Sequence, residues 1–424
     1  MKDNKILMII NEFPPTGQSG VQRALKFLKY NVAAGWDVHV IAPLGSVRKI
    51  TDYSLLKEIP PTCHLHRVGG LGIKTVSESK MVHARFPATA PKSPVSRLYW
   101  QVLKLINDLL FPYDKQIGWM PFALLKATIL IKRYKIRNVY ITAFPYSAFL
   151  VGIALKLLYG KRIFWVADYR DSWQFAPSIE RYMLPFRRKI VTGTDDIVLK
   201  KCDTALFVTK YIHEQYCQKH PWLKDKSAVI TNGYDEADFK QLQPKLYDCF
   251  TFAYMGKMHV NYGNPLPLLT AIAGCNLGKF QFVHIGSADE TVLESIGKAG
   301  FDFYKFEGYK PHAEALNYSA GADVNLIILS DDRGSEHVYT GKLFELLRLG
   351  KPILAVGPKK CIIAEVLQET GLGRYAWIGD VEQIQQQLNL LLMDSGDRII
   401  DISKIQKYSR QALSAQLLKL FATD

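Results

Sequence analysis

The sequence predicts an α/β protein made of two Rossmann-like, doubly wound domains facing a cleft. Three observations lead there. Short apolar runs suited to strands alternate with helical segments along nearly the whole chain. The alternation falls into two strings of about a domain each, separated by the polar segment 235–248. The length, 424 residues, exceeds what one ordinary core accommodates. Right-handed crossovers between such strands give parallel sheets covered on both faces, with a ligand crevice outside the C-terminal strand ends.

The elements follow in order. Residues 5–10 form an apolar run suited to a strand buried on both faces. Residues 11–20 are rich in proline and glycine and read as a loop. Val21, Leu25 and Leu28 then share one helical face, and the helix stops at Gly35. Strands are predicted at 37–43 and 63–68, before a long polar, proline-containing stretch from 69 to 94. Residues 95–135 carry two amphipathic helical segments, broken around Phe111–Pro112 and Gly118–Pro121. Strands resume at 137–142, 162–167, 204–208 and 228–231. The second half places them at 251–255, 280–285, 303–306, 324–329, 353–356 and 375–378. The apolar stretch 139–155 is short for a membrane span and interrupted by Pro145, so it reads as a buried strand followed by a helix.

Composition narrows the function classes. With 48% hydrophobic and 22% charged residues the chain belongs with soluble globular proteins, which sets aside disorder, collagen-like repeats and coiled coil. Six cysteines without a Cys-x-x-Cys spacing argue against a zinc site and a disulfide framework, and suit a reducing cytoplasm. The apolar run at the N-terminus, Ile6 to Ile10, is shorter than a signal peptide needs. The net charge of +15 points to a polyanionic partner. It is unevenly placed: up to Lys245 there are 37 basic and 19 acidic residues, and from Leu246 onward 17 and 20.

Three segments carry chemistry. Gly17–Gln18–Ser19–Gly20 follows the first strand and opens a helix, where free amides can meet a phosphate or a sugar. It lacks the third glycine of a dinucleotide fingerprint, and the second strand ends without the acidic residue that holds a ribose, so a nicotinamide cofactor is disfavoured. An ordinary tight turn fits it equally. Next, Gly341 opens a helix on which Lys342 and Glu345 share a face; the helix ends at Gly350, and Pro352 opens the next strand. A cation for a diphosphate and a carboxylate for a ribose diol are what a nucleotide-sugar requires, and a surface ion pair is the plainer alternative. Finally, Asp168–Tyr169–Arg170–Asp171 follows a strand directly. A carboxylate there can orient or deprotonate an acceptor hydroxyl, and Arg170 can bind a phosphate; an internal Asp–Arg ion pair is the alternative. The chain has no Asp-x-Asp, and the pairs Asp195–Asp196 and Asp331–Asp332 suit helix caps or solvent. No His or Cys group has ligand spacing, so no metal is expected. His312, after Pro311, reads as a helix-start residue.

With these residues in view, the chain resembles the retaining family-4 glycosyltransferases of GT-B fold over nearly its whole length. Lys342 to Glu345, continuing to Gly350–Lys351–Pro352, looks like their donor-binding helix. Val229 to Asp235 resembles their Asn-Gly-x-Asp turn. Tyr254–Met255–Gly256–Lys257 resembles the strand that ends in Gly-Arg, Phe306–Glu307–Gly308–Tyr309 the segment beside the nucleobase, and Ala322–Asp323–Val324 the Ala-Asp-Val strand. In the first half, Phe111 to Asp114, Ile117 to Trp119 and Trp165 to Trp173 look like bacterial polysaccharide-building transferases.

The resemblance implies a donor site of Gly17, Gly20, Gly256, Lys257, Gly308, Tyr309, Thr340, Gly341, Lys342, Leu343 and Glu345, with Glu345 on the ribose and the cations on the diphosphate. Asp168, Arg170 and Asp171 stand as the catalytic candidates from their position after the strand. The domains become 1–240 for the acceptor, 250–400 for the nucleotide-sugar, and 401–424 as a helix crossing back to the first. Two positions depart from the family. Eight residues before Glu345, where it has a second glutamate, stands His337, with Glu336 adjacent. Where it often has a lysine after the Gly-Arg arginine stands Tyr262.

Basic residues concentrate at Lys126, Lys132, Arg133, Lys135 and Arg137, and at Arg181, Arg187, Arg188 and Lys189 around the apolar segment 182–186. Lys/Arg beside aromatic and apolar groups suit the headgroup layer of an anionic membrane, and Lys132, Arg133, Arg187 and Arg188 are the candidate surface. No nucleic-acid-binding motif is present, so nucleic acid is not an expected partner. The expectation is therefore a metal-independent, retaining transferase without cofactor, taking a nucleotide-sugar donor to a lipid-linked saccharide acceptor in cell-surface polysaccharide biosynthesis. It would work in the cytoplasm, peripheral at the inner face of the plasma membrane. A nucleotide-sugar epimerase of the same fold and a non-catalytic sugar-binding module are the competing readings.

Overall fold

Thirteen strands, all paired in parallel, make two separate sheets in the computed structural model, which describes residues 4–17, 19–47, 51–71, 109, 113–175, 183–258, 264–332, 334–394 and 401–422. The chain divides into two compact units, Met1–Ile230 with Ser414–Asp424, and Thr231–Leu413.

In the first unit the strands are β1 (Lys5–Ile9), β2 (Asp37–Pro43), β3 (His64–Val68), β4 (Asn138–Ala143), β5 (Phe164–Tyr169), β6 (Thr204–Phe207) and β7 (Ser227–Val229). Their order is β3-β2-β1-β4-β5-β6-β7, so chain direction across the sheet reverses between β1 and β4. Every residue of β4 is buried, as a strand covered by helices on both faces requires. The connecting helices are α1 (Ser19–Ala33), α2 (Met120–Tyr134), α3 (Ala148–Tyr159), α4 (Pro185–Lys201) and α5 (Lys210–Lys219). The apolar stretch 139–155 thus divides into β4 and α3. Trp119, Trp165 and Trp173 fill the core with Phe149 and Tyr169. Tyr146 lies flat on Trp173, ring centroids 4.7 Å apart.

The second unit holds β8 (Phe250–Met255), β9 (Phe280–Ile285), β10 (Tyr304–Gly308), β11 (Val324–Ile328), β12 (Ile353–Gly357) and β13 (Gly373–Trp377) in the order β10-β9-β8-β11-β12-β13. Its reversal falls between β8 and β11. Its helices are α6 (Leu266–Ala273), α7 (Glu290–Lys298), α8 (His312–Gly321), α9 (Gly341–Leu349), α10 (Ile362–Thr370), α11 (Val381–Met393) and α12 (Ile402–Gln406). The predicted stops at Gly35 and Gly350 are both left-handed, with φ of 82° and 70°. The final helix α13 (Arg410–Phe421) seats its later turns on the first unit. There Ser414 Oγ donates to Asn31 Oδ1 at 2.7 Å, and Phe421 packs on Trp36 and Phe164.

Each predicted strand is present, within a residue or two at its ends. Two local readings are corrected. The segment 235–248, read as a linker, is bound to the second unit: the Lys245 amide donates to the Asn317 carbonyl and the Tyr247 hydroxyl to that of Tyr318. Asp195, read as a cap or solvent residue, is fully buried in α4 and accepts from the hydroxyls of Tyr169 and Tyr216. Burial pushes its carboxyl up to about 7, against those hydrogen bonds. The break expected at Phe111–Pro112 lies outside the described residues, as do Arg181 and Tyr262.

One buried ion pair ties α1 to the sheet. Arg23 on α1 and Asp168 on β5 are both buried and meet at 2.9 Å. Asp168 also accepts from Tyr140 at 2.5 Å and Thr142 at 3.0 Å, both on β4. Burial alone would lower the pKa of the guanidinium; the Asp168 carboxylate outweighs it, and the pKa is raised. Removing one partner leaves an uncompensated buried charge, so Arg23→Met should cost about 3–5 kcal/mol in urea unfolding. The double replacement Arg23→Met/Asp168→Leu should recover part of that loss. A single-variant cost within 1 kcal/mol of zero would refute this account of the pair.

Candidate active site

The loops at the C-terminal ends of strands flanking each reversal are where an open parallel sheet binds ligands. In the second unit these are the turn after β8, with Gly256 and Lys257, and the segment from β11 into α9. Lys342, in the first turn of α9, extends back to the end of β8. Its Nζ lies 5.2 Å from the centre of the Tyr254 ring, against Gly256. A Cβ built on Gly256 would fall 1.8 Å from that nitrogen, so only glycine leaves room for it there. Burial pushes Lys342 down to about 8, with Glu345 opposing.

The turn that receives Lys342 is held from behind. His284 Nε2 donates to the Gly256 carbonyl at 2.8 Å, and its Nδ1 accepts from the Tyr304 hydroxyl at 2.7 Å. Burial pushes this imidazole down to about 4, so it is neutral at physiological pH and its tautomer follows from the carbonyl it serves. The Gly256 amide donates to Ile285, and Gly286 to the Gly308 carbonyl, which brings the predicted Gly308 into the same floor. Tyr309 follows, 79% exposed.

Glu345 does not form the ion pair with Lys342 that spacing alone allowed. Its carboxylate meets His312 Nε2 at 3.0 Å, at the start of α8. Thr340, before the helix, has a buried hydroxyl oxygen without a hydrogen-bond partner, and Gly341 is exposed beside it. Leu343 is fully buried and anchors the helix in the core rather than facing a ligand. Where the second glutamate was sought, Glu336 and His337 pair with each other at 3.0 Å. Lys257 is exposed at the end of β8. The cluster therefore offers one half-buried cation, one carboxylate fixed by an imidazole, and a helix N-terminus.

The first-unit candidates divide. Asp168 has no exposed surface and four donors on its oxygens, so it is a structural anchor and cannot meet an acceptor hydroxyl. Arg170 is a clamp: Nη1 donates to the Gly20 carbonyl at 2.6 Å, and Nη2 pairs with the buried Glu12 at 3.0 Å. A Cβ on Gly20 would meet that guanidinium at 2.2 Å, so glycine at this position leaves room for the clamp, while Gly17 packs against Asp52. Asp171 alone of the three is exposed. Surrounding protein raises its pKa, Arg170 opposes, and Glu12 and Asp168 add to the rise. Just beyond β1, the buried side chain of Asn11 has no hydrogen-bond partner for either polar atom.

No protein-family model matches the chain. No curated protein matches it either. Solved structures do. HepE of Anabaena, in complex with UDP, superposes at a TM-score of 0.65 with 12% identity over 99% of this chain and 100% of that one. The fold is that of the GT-B glycosyltransferases. The lipopolysaccharide outer core galactosyltransferase WaaB gives 0.60 with 14% identity over 99% and 100% of the two chains. A UDP-N-acetylglucosamine 2-epimerase gives 0.54 with 13% identity over 100% and 98%. At these identities the likeness speaks for the GT-B fold, and the chemistry rests on the residues described above.

Sequence reasoning found Gly256, Lys342 and Glu345 but missed Tyr254, His284 and His312 as their supports. Those contacts join residues 28 to 88 positions apart and leave no local signal.

The half-buried Lys342 should titrate near pH 8 while ordinary lysines remain above 10. NMR of isotopically methylated lysines, with Lys342→Met for assignment, measures this; a value above 10 would overturn the placement.

Proposed function

We propose that the chain is a glycosyltransferase that uses a nucleotide-sugar donor, bound by its second unit, to extend a saccharide acceptor. The observation that carries this reading is Lys342 lodged against Gly256 with Glu345 one helical turn away. On this reading the Lys342 ammonium and the α9 amides take the donor diphosphate and stabilise the charge it gains on leaving, an electrostatic role. Glu345, oriented by His312, accepts hydrogen bonds from the ribose hydroxyls. The Tyr309 ring is exposed beside Gly308, where a base can stack. The complexes of HepE with UDP and with UDP-glucose support a uridine nucleotide as the first donor to test. Retention of configuration and independence of metal follow the family-4 resemblance. Asp171 is the exposed acceptor-side group open to a ligand.

The acceptor is proposed to be lipid-linked, and WaaB, named for the lipopolysaccharide outer core, supports a surface-polysaccharide role. Among the described residues no helix is long and apolar enough to cross a membrane. On α2, however, Phe122, Leu125 and Ile129 are 40%, 63% and 47% exposed at helical spacing, with Lys132 and Arg133 on the same side. That pattern suits docking at an anionic inner-leaflet surface, at about 1 kcal/mol per basic residue. Arg188 is exposed too, whereas Arg187 is partly engaged, donating to the Tyr113 carbonyl at 3.2 Å.

Two outcomes check the reading. Glu345→Gln should weaken UDP-sugar binding by about 1.5–3 kcal/mol in calorimetry with EDTA present, roughly ten- to a hundred-and-fifty-fold. Unchanged affinity and turnover would remove Glu345 from the ribose. Conversion of the sugar nucleotide without acceptor would instead support the epimerase reading. Separately, the protein should co-sediment with anionic liposomes at low salt, less so at high salt, and less with Leu125→Ser/Ile129→Ser. Absence of low-salt binding would end the docking idea.

A further inference from the structure

At the N-terminal ends of β2 and β3, the end of the first sheet away from the ligand loops, parallel pairing sets His39 beside His64. Asp37, two residues before His39, lies on the same face of β2. A carboxylate oxygen and one nitrogen from each ring fall within 4.8 Å of one another. Asp37 Oδ1 is 3.6 Å from His39 Nε2 and 3.3 Å from His64 Nε2. Atoms bound to one tetrahedral zinc ion at 2.0–2.1 Å stand about 3.3 Å apart, so these gaps are nearly those of a formed site.

Further observations point to a cation rather than a surface ion pair. His39 is fully buried, and its Nε2 has no hydrogen-bond partner. Its other nitrogen, Nδ1, lies 3.2 Å from His66 Nε2. A ring that gives Nε2 to a metal carries its proton on Nδ1 and donates it to an outer group, and His66 is placed to accept. The His39 ring packs between His64 and Tyr134, at centroid distances of 4.5 and 4.4 Å, and the half-exposed His64 has to turn out of this stack for both imidazoles to meet one ion in their ring planes. Asp37 and His64 are partly exposed, which leaves an entry path and a fourth position for water. Lys5, the neighbouring cation in register with Asp37, donates its ammonium to the Tyr134 carbonyl.

We propose that Asp37, His39 and His64 bind one divalent zinc ion, with His66 as the positioning residue for His39. Two imidazoles and a carboxylate select zinc and its transition-metal neighbours over calcium or magnesium. The ion ties β3, the outermost strand of its sheet, to β2 and steadies that edge. It takes no part in sugar transfer, so its presence is compatible with turnover in EDTA. The cluster eluded sequence reasoning because His64 lies 25 residues beyond His39 and meets it only through strand register; the alternating Asp-x-His at 37–39 and His-x-His at 64–66 were the available trace.

The test is calorimetric titration of Zn²⁺ into untagged, chelator-stripped full-length protein, with Co²⁺ absorption as a reporter of tetrahedral geometry. One ion per chain is expected, with a rise in the thermal midpoint. The exposed ligands are the ones to change: Asp37→Asn and His64→Ala should each weaken binding at least tenfold, with circular dichroism confirming the fold. His66→Ala, which keeps all three ligands, should weaken it about 10- to 100-fold. No saturable binding below about 100 μM would overturn the site. Binding of equal strength in Asp37→Asn and His64→Ala would also overturn it, by placing the ion elsewhere.

Discussion

A carboxylate removed from water stays charged only when donors surround it, and Asp168 meets that condition with donors from two elements besides its own. Arg23 comes from α1, Tyr140 and Thr142 from β4, and Asp168 itself from β5. These elements flank the point where strand order reverses, which is where a doubly wound sheet has no crossover helix to hold it closed. Arg170, two residues further on, repeats the device one layer out by joining Glu12, Gly20 and the end of β4. The loops at this end of the first unit are therefore fixed by charge. The residues that looked most catalytic by position are the ones that hold the others still.

The second unit solves the same problem with space instead of charge. Its reversal lies between β8 and β11, and the gap is kept open by glycine at 256 and 286, where added carbons would strike Lys342 and the Gly256 carbonyl. Into that gap comes a single amine, with a neutral imidazole behind it. A cation poorly solvated in the free protein gains most from an arriving anion, because the ligand supplies what the surroundings withhold. The first unit spends its buried charges internally; the second leaves one unsatisfied.

How much of this was legible in the sequence depended on range. Strands such as 138–143 and 353–357 announced themselves because burial on both faces demands an unbroken apolar run. The helix α9 was legible because its start, its two charged residues and its Gly-x-Pro exit lie within twelve positions. What joins distant segments was not. Nothing around Asp168 indicates Arg23, 145 residues earlier, and nothing around Glu345 indicates His312. Asp195–Asp196 has the composition of a surface pair, yet one of the two is sealed beneath two tyrosines. Local chemistry marked which residues can be charged, and only the packing decided which of them face water.

The discontinuous make-up of the first unit has a consequence for how the protein is made. Its sheet is complete once residue 230 has been synthesised, but Trp36, Phe164 and Asn31 await partners from α13. At ribosomal speeds of about 5–20 residues per second, those partners arrive roughly 10–40 seconds later, after the whole second unit has emerged. During that interval the nascent first unit carries an uncovered aromatic patch. The second unit, by contrast, is continuous and can close on itself as it appears. The order of assembly is thus the reverse of the order of synthesis: the half begun first is finished last.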